Sequence, residues 1–283
     1  MAMDEKGLGK RLQEARQAAG MTQQQLCQRA NLSFSTLTKI ERGAIKSPSI
    51  FTIQSIAGAL GLGLDELIGQ APALPQRDLK TTRSGAKFIY FDVNGCLVHF
   101  YQRAFSKLAM DTGATLDQVE SAYWHYNDEV CRGTMSMQDF NGKVAERLGA
   151  QNVDWGRYYL ETVEPILPMQ EVAKWASENY RIGLLTNIMP GLLAAMRRDG
   201  NIPNLPYDTV IDSSEVAAIK PEARIYEVAQ AQADVPPEEI LLIDDSRVNL
   251  MAAEKLGWHV LWFDDSRVEE SVERVRQALE PAD

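Results

Sequence analysis

The sequence predicts two domains of different class. Residues 1–70 form an all-α domain of five helices, and residues 86–283 form a Rossmann-like α/β domain carrying a helical cap insertion. Three observations predict this. Apolar residues in the first stretch recur at helical spacing. From Lys87 onward, short apolar runs alternate with helical segments, which is the pattern of a doubly wound sheet. Between the two, 71-APALPQRDLKTTRSG-85 holds two prolines, mixed charge and no periodicity, and reads as a linker.

In the first domain, Leu8, Leu12, Ala15 and Ala19 share one helical face and Gly20 ends the helix. Thr22 caps the second helix, with Leu26, Cys27 and Ala30 inside. After a break at Asn31-Leu32-Ser33, a third helix buries Leu37 and Ile40 and stops at Gly43. Pro48-Ser49 opens a fourth, with Ile53, Ile56, Ala57 and Leu60 inward. Leu64 to Ile68 form a short fifth. In the second domain, strands are expected at 87–92, 181–186, 208–211, 240–244 and 258–263. Residues 98–170 interrupt the alternation with an aromatic-rich helical block. Placed directly after the first strand, it lies over that strand's carboxyl end and forms a lid. Its aromatic residues (Tyr101, Phe105, Tyr123, Phe140, Trp155, Tyr158 and Tyr159) read as core, and Trp124 and Tyr126 are the candidates for ligand contact.

With 45% hydrophobic and 24% charged residues, the composition is that of a soluble globular chain. No apolar run approaches ~20 residues, so no membrane span is expected. The opening MAMDEKGLGKRLQ lacks the apolar core of a signal peptide. Cys27, Cys96 and Cys131 match no metal motif; they read as small buried residues in a reducing cytoplasm. Charge is uneven. Residues 1–70 carry eight Lys/Arg and six Asp/Glu, whereas the whole chain has 29 and 39. A locally basic end on an acidic protein can meet nucleic acid through that end.

The segment 22-TQQQLCQRANLSFSTLTKIERG-43 places two short helices around a tight turn. It resembles the helix-turn-helix of Cro and cI phage repressors, the XRE family, over residues 7–69. The resemblance implies that the second helix enters the major groove of double-stranded DNA and reads base edges from its first turn. Phe34, Ser35, Thr36 and Lys39 point outward on that helix. Ser35 and Lys39 can hydrogen-bond to bases, and Phe34 can touch a thymine methyl group. By the same resemblance Gln23, Thr36, Arg42 and Lys46 are phosphate contacts, which orient the protein without specifying sequence. Proteins of this kind bind half-sites about one helical turn (~34 Å) apart, so a homodimer is expected. The same fold also serves antitoxins and purely protein-binding modules.

In the second domain, the runs 88-FIYF-91 and 240-ILLI-243 each deliver carboxylates at their carboxyl ends: Asp92 on one, Asp244 and Asp245 on the other. Ligands bind where parallel strands end. Three converging acids repel one another and need a cation to stay ionised together, which points to Mg²⁺ and a phosphate site. Asp92-Val93-Asn94-Gly95, Thr186 at a strand end, Lys220-Pro221 and Asp244-Asp245 occur in that order. This resembles the haloacid dehalogenase-like superfamily over about residues 86–263, most closely the members with a cap after the first motif. The stretch 244-DDSRVN-249 resembles relatives of epoxide hydrolase phosphatase domains.

The resemblance implies an Asp92 nucleophile that forms an aspartyl-phosphate, with Lys220, Thr186 and the backbone near Asn187 holding phosphoryl charge. Mg²⁺ would take Asp92, the Asn94 carbonyl and Asp245, with Asp244 in support, and Asn249 would orient the acidic loop. The pattern departs from the family at Asn94, where its phosphatases carry an aspartate that moves the proton. An amide cannot, at a typical cost of ~10²–10⁴-fold in rate. His99 could line the cap side, and His125 and His259 read as packing. The expected function is a transcriptional regulator whose phosphatase-like domain senses a small phosphorylated or carboxylated ligand. The alternatives are a working Mg²⁺ phosphatase and an antitoxin-like regulator.

Overall fold

The structure is a computed structural model that describes residues 5–45, 48–63 and 79–282. The chain divides into two compact units, Met1–Arg77 and Asp78–Asp283. The expected fifth helix at 64–68, Lys46 and most of the expected linker lie outside the described residues.

The first unit contains α1 (Glu5–Ala18), α2 (Gln23–Ala30), α3 (Phe34–Glu41) and α4 (Ile50–Leu60). Local chemistry sets each boundary. Thr22 and Gln25 form a reciprocal capping box ahead of α2. Asn31 takes the left-handed conformation that ends it, and Ser33 and Ser49 cap α3 and α4 by accepting from Thr36 and Thr52 N–H. Leu8, Leu12, Leu26, Leu37, Ile40, Ile53 and Ile56 close the core.

Two features of this unit depart from the expected helical face. Ala19 is exposed, and Arg16 is buried instead. The Arg16 guanidinium donates to Glu41 through Nε (2.7 Å) and Nη2 (3.1 Å), and to the Met21 carbonyl (2.8 Å). This ties the end of α1 to the end of α3 with a bidentate pair. The second feature is Gly9. A Cβ there would stand 2.4 Å from the Ile40 carbonyl oxygen, so α1 crosses α3 backbone to backbone. Gly9→Ala is therefore expected to destabilise this unit by about 1–3 kcal/mol, the usual range for overpacking, despite alanine's better helix propensity. Urea unfolding followed by circular dichroism checks this.

The second unit is a five-stranded parallel sheet in the order β3-β2-β1-β4-β5, and every expected strand is present. The strands are β1 (Phe88–Phe91), β2 (Arg181–Thr186), β3 (Thr209–Asp212), β4 (Ile240–Asp244) and β5 (His259–Trp262). β1 is central, pairing Phe88–Phe91 with Arg181–Leu184 on one side and Ile240–Ile243 on the other. Side chains alternate between faces. Ile89 and Phe91 join the core under α9 (Leu167–Asn179) and α14 (Val268–Ala278). Phe88 and Tyr90 join the core under α12 (Ala223–Ala233) and α13 (Arg247–Lys255). Two short helices, α10 (Leu192–Arg198) and α11 (Ser213–Val216), follow β2 and β3.

The insertion is smaller than expected. Its helices are α5 (Gln102–Thr112), α6 (Leu116–Cys131), α7 (Met137–Leu148) and α8 (Trp155–Thr162). The chain returns at Pro165, which bridges to Val98, and Ile166 N–H donates to the Leu97 carbonyl (2.9 Å). Residues 167–170, expected in the cap, start α9 on the sheet. Residues 80–85, expected in the linker, belong to the α/β unit: Lys80 N–H bonds the Asn179 carbonyl, Arg83 N–H the Glu280 carbonyl, and buried Thr82 accepts from Ala86 N–H. No helix among the described residues is long and apolar enough to cross a membrane.

Candidate functional site

Because the strand order reverses direction at β1, the carboxyl ends of β1 and β4 open side by side at the sheet's switch point. β1 delivers Asp92 there, and β4 delivers Asp244 and Asp245. The three carboxylates each offer an oxygen within 4.8 Å of the others. Gly95 makes this approach possible. It has φ of +81°, and a Cβ there would lie 2.3 Å from Asp245 Oδ2, so the turn after β1 closes directly on that carboxylate.

Lys220 is the cation of the site and is 2% exposed. Its ammonium meets Asp92 Oδ1 at 3.0 Å and donates to Asp244 Oδ2 (2.5 Å) and the Leu185 carbonyl (2.8 Å). Asn187 clamps the segment that carries it: its amide nitrogen donates to the Lys220 carbonyl (2.8 Å), and its Oδ1 accepts from Lys220 N–H (2.7 Å). Asp244 is fully buried, and both its oxygens are engaged by Lys220, Ser246 N–H and Asn249 Nδ2. It supports the site from below, and Asp92 and Asp245 face the opening. Asn249 Nδ2 donates to both oxygens of Asp244, at 3.1 Å and 3.3 Å.

One buried lysine does not balance three acids. Burial pushes the Asp92 carboxyl up to about 7, with Lys220 opposing and Asp244 adding to the shift. Burial, then Asp92 and Asp244, push Asp245 up to about 8. A second cation would relieve this, so the donor set fits a hard divalent metal ion such as Mg²⁺. Two further groups await a partner. Thr186 Oγ1, at the end of β2, and Asn94 Nδ2 are buried without a hydrogen bond among the described residues. Buried polar groups of this kind are normally satisfied, so both are candidates to donate to a ligand.

The cleft measures about 280 Å³ and is walled by Asp92, Asn94, Asn187, Lys220, Asp245 and Asn249 from the sheet side. Thr186 and Asp244 lie buried beneath them. From the cap come Phe100, Tyr101, Trp124, Asn127 and Asp128. Trp124 stacks on Phe100 at 5.9 Å. Of the two aromatics singled out from the sequence, only Trp124 lines the cleft. Tyr126 packs under Lys143 and Arg147 elsewhere on the cap. Asn127 and Asp128 were missed, although their three- and four-residue spacing from Trp124 puts all three on one helical face. The sequence places Tyr159 in the core. It is core, and its hydroxyl also donates to Asn94 Oδ1 (2.5 Å). His99 sits 3.8 Å from Asp265 outside the lining set. His125 is exposed rather than packed, edge-on to Tyr126, and His259 is half-buried on β5.

In the first unit, Phe34 (51% exposed), Ser35, Lys39 and Arg42 are open on α3 and its C-terminal cap. Thr36 is half-buried, with its hydroxyl 2.7 Å from Ser33 Oγ. The Gln23 amide donates to Glu41 Oε2 (2.7 Å), which places it in the buried network with Arg16.

A helix-turn-helix profile matches residues 12–67. The immunity repressor protein of Bacillus phage phi105 is 40% identical over 63 residues, covering 22% of this chain and 43% of that protein's length. Solved structures resemble the α/β unit at low identity. A predicted HAD-like hydrolase from Porphyromonas gingivalis gives a TM-score of 0.57 at 20% identity, covering 68% of this chain and 98% of its own. A HAD family enzyme of Bacteroides thetaiotaomicron, solved with magnesium and inorganic phosphate, gives 0.53 at 18%, covering 63% and 94%. The L-2-haloacid dehalogenase of Xanthobacter autotrophicus, solved with chloropropionic acid covalently bound, gives 0.51 at 17%, covering 62% and 77%. The haloacid dehalogenase-like hydrolase profile matches residues 86–257, more than half of the sequence, and by that match the chain belongs to the haloacid dehalogenase-like hydrolase family.

Proposed function

We propose that this chain is a DNA-binding regulator whose α/β domain holds a Mg²⁺-dependent phosphate site and reports on a small phosphorylated ligand. The observation that carries this reading is the pairing, in one chain, of an exposed reading helix with a cleft that keeps Asp92, Lys220 and Asp245 but has the amide of Asn94 in place of a proton carrier. Asp92, Asp245 and the Asn94 backbone carbonyl would hold Mg²⁺, which when bound neutralises the carboxylates and the phosphoryl oxygens. Among the described residues, the cap wall offers Asp128 and no lysine or arginine. That wall favours a ligand with one phosphate and a neutral or cationic remainder over a carboxylated one.

On the DNA side, α3 supplies base contacts through Ser35 and Lys39 and apolar contact through Phe34, with Arg42 on phosphate. Binding as a homodimer to two half-sites belongs to the same reading. Gln23 and Thr36 contribute less, since their polar groups are engaged within the domain. The test is genome-wide mapping of bound sites, then affinity measurement on the recovered operator. Lys39→Ala is expected to weaken binding by roughly 1–3 kcal/mol, with Ser35→Ala relaxing the base preference at one position. Equal affinity of the native chain for operator and scrambled DNA would count against the reading.

A second reading, a working phosphatase localised by its DNA-binding domain, is favoured by the convergence of Asp92, Lys220 and Asp245 on one cleft with Thr186 beneath it. Asn94 is the observation that ranks it second.

A further inference from the structure

The residue two places after Asp92 decides which half of a phosphoryl transfer this site can complete. Asn94 is 5% exposed. Its Oδ1 accepts from the Tyr159 hydroxyl, which leaves Nδ2 as a hydrogen-bond donor with no partner among the described residues. Such a group can hold an oxygen in place, but it neither gives nor takes a proton at neutral pH. No described residue lining the cleft is a histidine. The lining carboxylates are Asp92 itself, Asp245 and Asp128 on the cap, and Asp128 Oδ1 already accepts from Asn127 Nδ2 (3.2 Å).

Asp92 Oδ1 is taken by Lys220 Nζ and by Val93 N–H (2.7 Å), so Oδ2 is the uncommitted oxygen. When it attacks phosphorus, a new P–O bond forms and the bond to the departing group breaks. An alkyl phosphate expels an alkoxide, which needs a proton that the Asn94 amide cannot supply. An acyl phosphate expels a carboxylate, which leaves with the bonding electron pair and needs none. The second half requires water to lose a proton as it attacks the phosphoaspartate, and the amide beside Asp92 cannot take it.

We infer that the α/β domain is a phosphorylation switch: it accepts a phosphoryl group on Asp92 from an acyl phosphate and retains it. The inference rests on the phosphate site proposed above. The retained group would face Lys220 and the buried, unpartnered donor Asn94 Nδ2, both of which line the cleft with Asp92. Because Tyr159 lies on α8, the amide beside the modified residue is hydrogen-bonded directly to the cap.

The experiment incubates the full chain with Mg²⁺ and acetyl phosphate, removes the donor, and follows intact mass and released acetate over time. The native chain is expected to release one acetate per chain and stop. It should carry one phosphoryl group that hydroxylamine removes and that Asp92→Asn never acquires. Glycerol phosphate should leave no adduct. The adduct's lifetime should exceed that of Asn94→Asp by ~10²–10⁴-fold. The burst and arrest in the native chain carry the test if that variant misfolds. Continuous release of acetate without retained phosphate overturns the inference. So does an Asp128→Asn chain whose adduct outlives the native one by the same factor, since the base would then sit on the cap. If no adduct forms while calorimetry still shows Mg²⁺ and inorganic phosphate binding, the switch falls and the ligand-sensing reading stands. If neither binds, both fall.

Discussion

Lys220→Met is expected to cost the α/β domain about 3–5 kcal/mol, the range for removing one partner of a buried ion pair. The substitution keeps the length and apolar stem of the side chain, so little of the loss comes from packing. What disappears is the cation between Asp92 and Asp244 and the donor to the Leu185 carbonyl. Burial alone would pull the Lys220 ammonium down; Asp244 and Asp92 outweigh it and hold the group charged well above its ordinary range. Without it, Asp244 keeps only Ser246 N–H and Asn249 Nδ2 for its charge, in a position with no solvent access. Adding Asp244→Asn to Lys220→Met should recover part of the loss, because the pair is removed together instead of being broken. Urea unfolding of the four chains of this cycle measures the coupling. A single-variant cost under about 1 kcal/mol would mean that the three groups are not held together as described.

The sheet was legible in the sequence because β1, β2 and β4 are short apolar runs that end in polar residues, a pattern few other arrangements produce. The helices of the first unit were legible through Thr22, Ser33, Ser49 and the glycines that punctuate them. The site's inner residues were readable as types in order along the chain, since Asp92, Lys220, Asp244 and Asp245 are costly to bury unless a site requires it. The failures share a cause. Arg16 sits where helical spacing marks an inward position, but partner identity is a tertiary fact, and Glu41 lies 25 residues away. Gly9 carries no signal in the sequence, because nothing local reports a backbone crossing. Residues 80–85 read as linker from their composition, yet their backbone groups find partners on α9 and at the chain's end. Tyr159 and Asp128 were invisible as site residues for the same reason: a helical insertion reveals which positions are apolar, not which of them overhang a cleft.

With divalent cations removed, the α/β domain is expected to lose stability as pH rises from about 4 to about 8, and Mg²⁺ is expected to restore it most where the loss is greatest. In the unfolded chain, Asp92 and Asp245 release their protons near 3.8; in the fold, they hold them until about 7 and about 8. Between those limits the folded state binds more protons than the unfolded state, so stability falls with rising pH. Below 3.8 both states are protonated and no penalty exists; above about 8 the whole penalty is present. The two groups share one site and titrate as a pair, so the total is on the order of a few kcal/mol. A metal ion takes only the ionised carboxylates, so its contribution grows as protons leave. Thermal unfolding of the α/β transition, with chelator or with Mg²⁺ at about pH 6 and about pH 8.5, reads this directly. The Mg²⁺-induced rise in melting temperature should be larger at the higher pH. Asp245→Asn should flatten the chelator profile and remove most of the Mg²⁺ response, because it takes away one carboxylate and one ligand at once. An equal Mg²⁺ response at both pH values would show that the ion binds elsewhere and that the acidic trio is held by Lys220 alone.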